Sequence, residues 1–210
     1  MLYLWIMKKE NIVLKDRETT EKRILDAVGY IILEEGFEKI GVNAVAQRAA
    51  VSKMLIYRYF GGVEELIARY IFQKDYWINI SIESDKIQDV NKFLKTIFRK
   101  QILLLREDII IKRLYRWELS INNSMINEIR AKRESNGCQL VDIISKLTKS
   151  TSKEVASLAS IISASISYMA LLEELNPIYN GIDLQSNAGW EQIAEGIDLI
   201  VDLWLKSKEK

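Results

Sequence analysis

Apolar residues recur at three- and four-residue steps along most of the chain, which is the spacing of one face of an α-helix. Between Thr20 and Glu35 the apolar stripe consists of Ile24, Leu25, Val28, Ile31 and Ile32. A threonine at position 19 or 20 is suited to cap the start of such a helix, and Gly36 is suited to follow its end. The pattern therefore predicts a first helix over residues 20–35.

Three further helical segments follow the first one. They cover residues 42–49 with Gly41 as N-cap, 53–60 with Ser52 as N-cap, and 63–81 after a break at Gly61-Gly62. A tight turn at Ala50-Val51 is all that separates the first two. Short helices joined in this way predict a helix-turn-helix unit, in which the second helix enters the major groove of DNA.

The rest of the chain also has helical periodicity. Helices are predicted over residues 84–106, 107–121, 124–149, 151–175 and from 190 onward, with a loop rich in Gly and Asn at 176–189. The Asn136-Gly137 pair favours a turn, but the apolar positions keep one helical phase across it, so we expect 124–149 to be continuous. With one proline in 210 residues, the fold class is predicted to be all-α.

The composition excludes several kinds of chemistry. No histidine and a single cysteine, Cys138, leave no serine–histidine or cysteine–histidine nucleophile pair, and no histidine or multi-cysteine metal site within one chain. The acidic doublets at 34–35, 64–65 and 173–174 are expected on solvated helix faces, because adjacent helical residues diverge by about 100°. We therefore expect no catalytic residue, no metal and no cofactor.

Charge and the N-terminal segment bound the possible partners. The net charge is +1, so a nucleic-acid partner requires basic residues that are concentrated locally. Residues 1–17 place their apolar residues before their lysines, unlike a secretory signal. They are open to interpretation as a disordered arm, a grip on a neighbouring helix, or a stretch upstream of a true start at Met7. No run approaches the ~20 apolar residues of a membrane span, so a cytoplasmic protein without a membrane partner is expected.

Several segments between Thr20 and Tyr70 resemble the TetR family of bacterial transcriptional regulators. They are RILDAV at 23–28, GFEKI at 36–40, VNAVAQRAAVSK at 42–53, IYRYF at 56–60 and EEL at 64–66. The resemblance implies a helix-turn-helix DNA-binding domain over residues 18–67, preceded by the extension 1–17. It also implies a helical domain over residues 68–210 that binds a small effector and forms a homodimer.

The resemblance further implies, by position, which residues contact DNA. The base-facing set is Asn43, Lys53, Met54, Leu55 and Arg58, and the set near phosphates is Ser52, Tyr57 and Tyr59. Val51, Ile56 and Phe60 have the spacing to face inward and anchor the helix. For each outward residue the alternative is packing at the edge of the domain.

The sequence departs from the usual pattern of the family at four places. Gly41 replaces a Ser or Thr cap, Ala50 replaces the glycine of the turn, and Met54-Leu55 replace small residues. The base-facing surface is therefore bulkier and more apolar, and Leu55 is suited to contact thymine methyl groups. Gly61-Gly62-Val63 also lacks a lysine that often grips phosphate.

Residues 68–210 contain no motif that identifies an effector, which we expect to be apolar or aromatic. The candidates for its pocket are Phe93, Phe98, Tyr115, Trp117, Tyr168 and Met169, with ordinary core packing as the alternative. The helix at 151–175 is rich in small side chains between 157 and 167. Such a surface fits a subunit interface, a pocket wall or plain helix packing.

Two apolar stripes in the last two helices predict the dimer interface. The residues expected there are Val155, Ile162, Ile166, Ile193, Ile197, Ile200 and Trp204. Two such helices from each subunit form a four-helix bundle, the arrangement that the resemblance also implies. The alternative is that these stripes are core within one subunit.

These observations together predict a homodimeric regulator that binds double-stranded DNA. A repressor released from a palindromic operator by a small-molecule effector is the function favoured. The alternatives are a helical adaptor that binds protein rather than DNA and, less in keeping with the absent histidines, a small helical enzyme.

Overall fold

The computed structural model describes the backbone of residues 2–208 and the side chains of residues 16–208. In that part of the chain it contains ten α-helices and one short hairpin, which confirms the predicted all-α class. The helices are α1 Leu2–Glu35, α2 Val42–Ala49, α3 Lys53–Phe60, α4 Val63–Lys74, α5 Tyr76–Asn79, α6 Val90–Glu107, α7 Ile109–Glu118, α8 Ser124–Thr148, α9 Ser152–Leu172 and α10 Asn187–Lys206, and the hairpin strands are β1 Ile178–Tyr179 and β2 Ile182–Asp183.

The chain divides into two compact units. The first unit reaches to Asp75 and also includes residues 122–129, and the second contains residues 76–121 and the described residues from Arg130 onward. The domain limit expected between residues 67 and 68 falls inside α4. Each unit is described by itself below.

The first helix begins earlier than the sequence pattern predicts. The predicted start at Thr20 is wrong, because the Thr20 hydroxyl donates to the carbonyl of Asp16 at 2.8 Å inside a continuous α1 instead of capping it. An ion pair between Arg17 and Glu21 at 2.7 Å also spans this stretch. The interpretations of residues 1–17 depend on side chains 1–15, which lie outside the described residues.

The first unit has a core formed by α1, α2, α3 and α4, with α1 packing on α2 and α4. Its fully buried side chains include Ile24, Val28, Ile32, Val45, Ile56 and Leu66. Gly29 in α1 lies against the ring of Tyr70 in α4, where an added Cβ would be 2.6 Å from the phenol oxygen. The absence of a side chain at Gly29 therefore sets how closely α4 approaches α1.

Two helix limits in the middle of the chain differ from the prediction. α4 ends at Lys74 rather than near Ser81, and the short α5 follows after Asp75. α6 begins at Val90, because the carboxylate of Asp89 accepts the N–H of Lys92 at 3.0 Å and so caps the helix. The Ser84-Asp85 pair, which has the residue types of a cap, forms only a single 3₁₀ turn.

In the second unit α6 packs against both α9 and α10. α8 continues across Asn136-Gly137, as predicted. α9 ends at Leu172 rather than at 175, and the predicted loop contains the β1–β2 hairpin. α10 begins at Asn187 rather than at 190, because the Ser186 hydroxyl accepts the N–H of Gly189 at 2.9 Å.

One acidic doublet is only partly on a solvated face, because Glu174 is exposed but Glu173 lies in the core of the second unit. Glu173 is buried and pairs with Lys112 of α7, which is buried as well. The indole N–H of Trp190 donates to the same carboxylate at 3.2 Å. The spacing of an acidic doublet predicts that its two side chains point in different directions on a helix, but it does not predict whether either is buried. Here a cation from another helix stabilises the buried carboxylate.

α9 is more apolar than expected. Its 21 residues are long and apolar enough to cross a membrane by length and composition, although serines interrupt every apolar run. Only 22% of the most apolar stretch is buried in the single chain. The same composition suits a helix that packs on α6 on one side and has its other sides open to further contacts.

Candidate DNA-binding surface and ligand cavity

The turn between α2 and α3 is tight and is held from two sides. Ala50 adopts the left-handed conformation with φ 50° and ψ 49°, and the N–H of Val51 donates to the carbonyl of Ala46 at 3.0 Å. The guanidinium of Arg23 in α1 donates to the carbonyl of Ala49 at 2.6 Å and to that of Ala50 at 3.2 Å. These carbonyls lie at the C-terminus of α2, where a cation is favourable.

The sequence analysis did not single out Arg23. Its signal was present, since a basic residue directly precedes the first apolar position of the α1 stripe. Its partner carbonyls lie 26 and 27 residues away, and only the fold brings them together.

One face of α3 is anchored in the core and the opposite face is exposed. Ile56 is fully buried, whereas Val51 and Phe60, which were also expected to face inward, are half-buried. Lys53, Tyr57, Arg58 and Met54 are exposed, and Met54 keeps 77% of its surface. α3 therefore presents two cations, an aromatic ring and a thioether on one side.

The remaining predicted DNA-contacting residues flank this exposed face. Asn43 is exposed in the first turn of α2, and Leu55 and Tyr59 are half-buried. Ser52 occupies the N-cap position with extended backbone, but its hydroxyl makes no cap hydrogen bond within the described residues. An exposed hydroxyl without a cap bond is available to an outside acceptor.

Two other cations of the first unit lie over aromatic rings. Arg17 lies 5.2 Å from the ring centroid of Tyr59, and Arg48 lies 3.1 Å from that of Tyr30. Lys53 and Arg58 have no acidic partner among the described residues. The positive charge of α3 is therefore not neutralised within the unit.

The second unit contains a cavity of about 800 Å³. Its walls come from α5 to α9, and the side chains are mainly aliphatic, small or aromatic, although the charged residues Arg130, Arg133, Glu134, Asp142 and Lys153 also line it. The volume lies within the roughly 300–1,000 Å³ of small-molecule sites. Of the predicted effector-binding residues, Phe98 and Tyr115 line it, whereas Phe93, Trp117, Tyr168 and Met169 are not among its lining residues.

The small side chains of α9 form one wall of this cavity. The wall residues are Ala156, Ala159, Ser160, Ser163, Ala164 and Ser167. Of the three interpretations of this stripe, the pocket wall agrees with the geometry. Ser157 and Ser165 lie elsewhere, and their hydroxyls donate to carbonyls of α9 itself.

Polar groups also reach the cavity. Gln101 of α6 lines it although only 4% of the residue is exposed, and the sequence analysis missed it. The sequence feature that could have identified Gln101 is its position as a polar residue on the apolar stripe of α6, one turn after Phe98. The thiol of Cys138 lies on the α8 wall, and its hydrogen bond to Glu134 raises its pKa. Among residues 16–208 no cluster of acidic or cysteine side chains could hold a metal ion.

Most of the predicted interface residues are core residues of one chain. Val155, Ile162, Ile166, Ile193 and Ile197 are all buried within the second unit, so little of their surface is left for a partner. Trp204 is half-buried and donates to Glu154 at 2.9 Å, which joins α10 to α9. The apolar residues exposed on these two helices are Ile161, Tyr168, Leu199, Ile200 and Leu203.

The model of the family described as bacterial regulatory proteins, tetR family, matches residues 24–70. No curated protein sequence matches the chain. Among solved structures, the chain is similar to a Clostridium perfringens putative fatty acid metabolism regulator, with 19% identity over 85% of this chain and 96% of that one and a TM-score of 0.60. It is also similar to the fatty acid degradation regulator FadR from Bacillus halodurans, with 18% identity, 87% and 94% coverage and a TM-score of 0.63.

A third similar structure is a SmeT–triclosan complex, with 14% identity, 85% and 91% coverage and a TM-score of 0.61. At these identities the solved structures bear on the fold alone. The family match covers α2, α3 and most of α4, including the turn that Arg23 holds and the exposed face of α3. Residues 24–70 thus match the TetR family of bacterial regulatory proteins, and they form a helix-turn-helix segment in this fold.

Proposed function

We propose that the chain is a cytoplasmic, homodimeric repressor. Its helix α3 lies in the major groove of a palindromic operator when the protein is bound to DNA. The observation that carries the proposal is the exposed face of α3, with Lys53 and Arg58 lacking acidic partners in the described chain. Cations suit phosphate oxygens and guanine edges, and the exposed apolar side chain of Met54 suits the methyl groups of thymine. In this proposal α3 is the recognition helix.

A dimer is required because the operator of such a regulator has two half-sites. These lie about one helical turn of DNA apart, and two recognition helices must be held at that separation. The exposed apolar side chains of α9 and α10 support an interface there, since each is 45% to 67% exposed in the single chain. Of the predicted interface residues, Ile200 belongs to this exposed set, and its neighbours Leu199 and Leu203 join it.

The cavity of the second unit is the proposed effector site. A small molecule bound there releases the operator only if it binds the DNA-incompetent conformer more tightly than the competent one. The apolar walls and the aromatic side chains of Phe98 and Tyr115 support an apolar or aromatic effector. On this proposal the protein acts by binding alone, without catalysis.

Selection from random double-stranded DNA at about 0.1 M salt tests the proposal, because nonspecific binding is weakened under these conditions. The expected result is enrichment of an inverted repeat with half-sites about one helical turn apart. Enrichment of no sequence, with the protein folded and dimeric, would contradict the proposal and favour the helical adaptor instead.

A further inference from the structure

The cavity of the second unit is long, and its two ends differ in chemistry. It follows α8 from Arg130 to Ile144, a stretch of roughly 20 Å at 1.5 Å per residue. The turn at 149–151 reverses the chain, so that α9 runs back along the same space with Val155 near one end and Ser167 near the other. A ligand that fills the cavity must therefore be elongated.

One end of the cavity has an apolar wall, although Asp142, Ser152 and Lys153 also line the cavity near this end. Leu94, Ile144 and Val155 lie there together, and the same three side chains also line a small neighbouring cavity with Ala159. Leu94 precedes Gln101 by two turns of α6, or roughly 10 Å. This end offers burial to a hydrocarbon and no charged group from α6.

The amide of Gln101 lies farther along the cavity, and Arg130, Arg133 and Glu134 of α8 line its far end. The amide nitrogen donates to the carbonyl of Ser163 at 3.3 Å and to the hydroxyl of Ser167 at 3.4 Å. Because the Ser163 carbonyl can only accept, the nitrogen must face it, and the orientation of the amide is fixed. The amide oxygen is then left buried and without a hydrogen-bond partner among the described residues.

An unpartnered buried acceptor is costly, and the amide of Gln101 lies in the wall of a cavity large enough to hold a molecule. The oxygen is closed to solvent in this structure, so it reaches a ligand only if the amide rotates about its soft terminal torsion and gives up the long hydrogen bonds of the nitrogen. A ligand group that donates a hydrogen bond there satisfies the amide, whereas a group without a donor leaves the oxygen unpaired.

We propose that the effector is an elongated amphipathic molecule whose apolar tail lies against Leu94, Ile144 and Val155 and whose hydroxyl or amide N–H head donates to Gln101. This inference rests on the proposed function of the cavity as the effector site. Gln101 is the residue that selects the head group, and the small side chains of α9 leave room for the chain of the ligand.

Displacement of the dye Nile red from the full-length protein by two matched molecules tests the inference. The molecules are 1-decanol, which carries a hydroxyl donor, and decyl methyl ether, which has a similar chain without the donor. A cavity that acted only by apolar burial would prefer the more apolar ether. We expect wild-type protein to bind the alcohol about tenfold more tightly than the ether, as for a hydrogen bond to an otherwise unpaired buried group.

Gln101→Leu removes the acceptor, and we expect the preference for the alcohol to disappear. Gln139→Leu, at an exposed position of α8 that does not line the cavity, is the matched control and should keep the preference. Gln101→Met serves as a second apolar variant of nearly the same length if Gln101→Leu does not fold. A preference that persists in a folded Gln101 variant would overturn the inference.

The two remaining outcomes separate this inference from the proposed function. If alcohol and ether displace the dye equally from the wild type, Gln101 does not select the head group, while the cavity remains a ligand site. If neither displaces the dye and neither changes the melting temperature, the cavity takes no elongated amphipathic ligand, and the inference fails while the DNA-binding role is still tested by the selection experiment.

Discussion

The two units of the chain differ in how much of their function is readable from short motifs. In the first unit, the family match and the quoted motifs fall on α1 to α4, where short helices and a tight turn must present α3 at a fixed angle. In the second unit long helices surround a cavity, and no motif identifies its ligand. DNA has a nearly constant shape, so the domains that bind it share the spacing of their motif residues. The shape of a ligand cavity, in contrast, changes with each side chain in its wall.

The largest expected effect is a loss of stability from a substitution that disturbs packing in the second unit only. Gly189, at the start of α10, lies so close to the hairpin that an added Cβ would be 1.9 Å from the carbonyl oxygen of Asp183. That oxygen belongs to the backbone and cannot move away easily. We expect Gly189→Ala to lower the free energy of unfolding by about 3 kcal/mol, measured by denaturant titration.

Gly137→Ala is the matched control for this change. Gly137 lies inside α8, and nothing lies within 4 Å of its added Cβ. Alanine is the better helix former, so this variant should gain about 0.5–1 kcal/mol. Equal effects of the two substitutions would mean that the hairpin does not constrain α10.

The next effect concerns the proposed interface. Leu203→Glu places a charge on the exposed apolar face of α10, and burying it unpaired in a dimer costs about 2–3 kcal/mol. We expect sedimentation to show a dissociation constant raised by roughly 100-fold, with helicity unchanged because Leu203 is not a core residue. Leu119→Glu, at another strongly exposed leucine, is the control. A dimer unaffected by Leu203→Glu would place the interface elsewhere.

The sequence predicted the existence of nearly all helices, the turn and the outward face of α3, because periodicity and punctuating glycines are local signals. Helix limits were missed where a tertiary or local partner decided them, as at Thr20 and at the Asp89 cap. The burial of Glu173 was not readable because its partner Lys112 lies 61 residues away. The sequence showed the apolar stripes of α9 and α10. When apolar residues occur on several sides of a helix, however, their spacing does not say which side packs in the core of the same subunit and which side is left for a partner.

A smaller effect sharpens the account of the first unit. Ala50 holds a left-handed conformation, which costs an L-residue about 1–2 kcal/mol, and glycine removes that cost at the price of more freedom in the unfolded chain. We expect Ala50→Gly to raise the free energy of unfolding by about 0.5–1 kcal/mol in thermal or denaturant unfolding.

Asn180→Gly in the hairpin turn of the second unit is the comparison. Asn180 also has a positive φ of 52°, but asparagine tolerates this conformation better than alanine does. Its gain should therefore be smaller than that of Ala50→Gly. The reverse order would mean that Ala50 is not strained in solution.

The smallest effect is on pH dependence and concerns carboxylates of the second unit. A hydrogen bond from Arg116 lowers the pKa of Glu174, and one from Asn91 lowers that of Asp202. A carboxylate whose pKa is lower in the folded state than in the unfolded state stabilises the fold at pH values above its unfolded pKa. This contribution is lost as the pH falls through the folded pKa. Both groups are largely exposed, so each contribution is small.

With no histidine in the chain, the free energy of unfolding should be constant between pH ~6 and ~8 and should fall below about pH 4.5. Denaturant titrations across this range check the prediction. A steep change centred near pH ~6.5 would contradict it and would indicate a strongly perturbed carboxylate.

Binding of the recognition helix to DNA is the central claim, and the affinity of three variants for the selected DNA tests it most directly. Lys53→Ala and Arg58→Ala should each weaken binding by about 1–3 kcal/mol in a fluorescence anisotropy titration, with a salt slope lower by about one for a pure phosphate contact. Lys74→Ala, at an exposed lysine in the last turn of α4, should bind like the wild type. If the two α3 variants are folded and dimeric yet bind as tightly as Lys74→Ala, α3 does not contact the DNA and the account is contradicted.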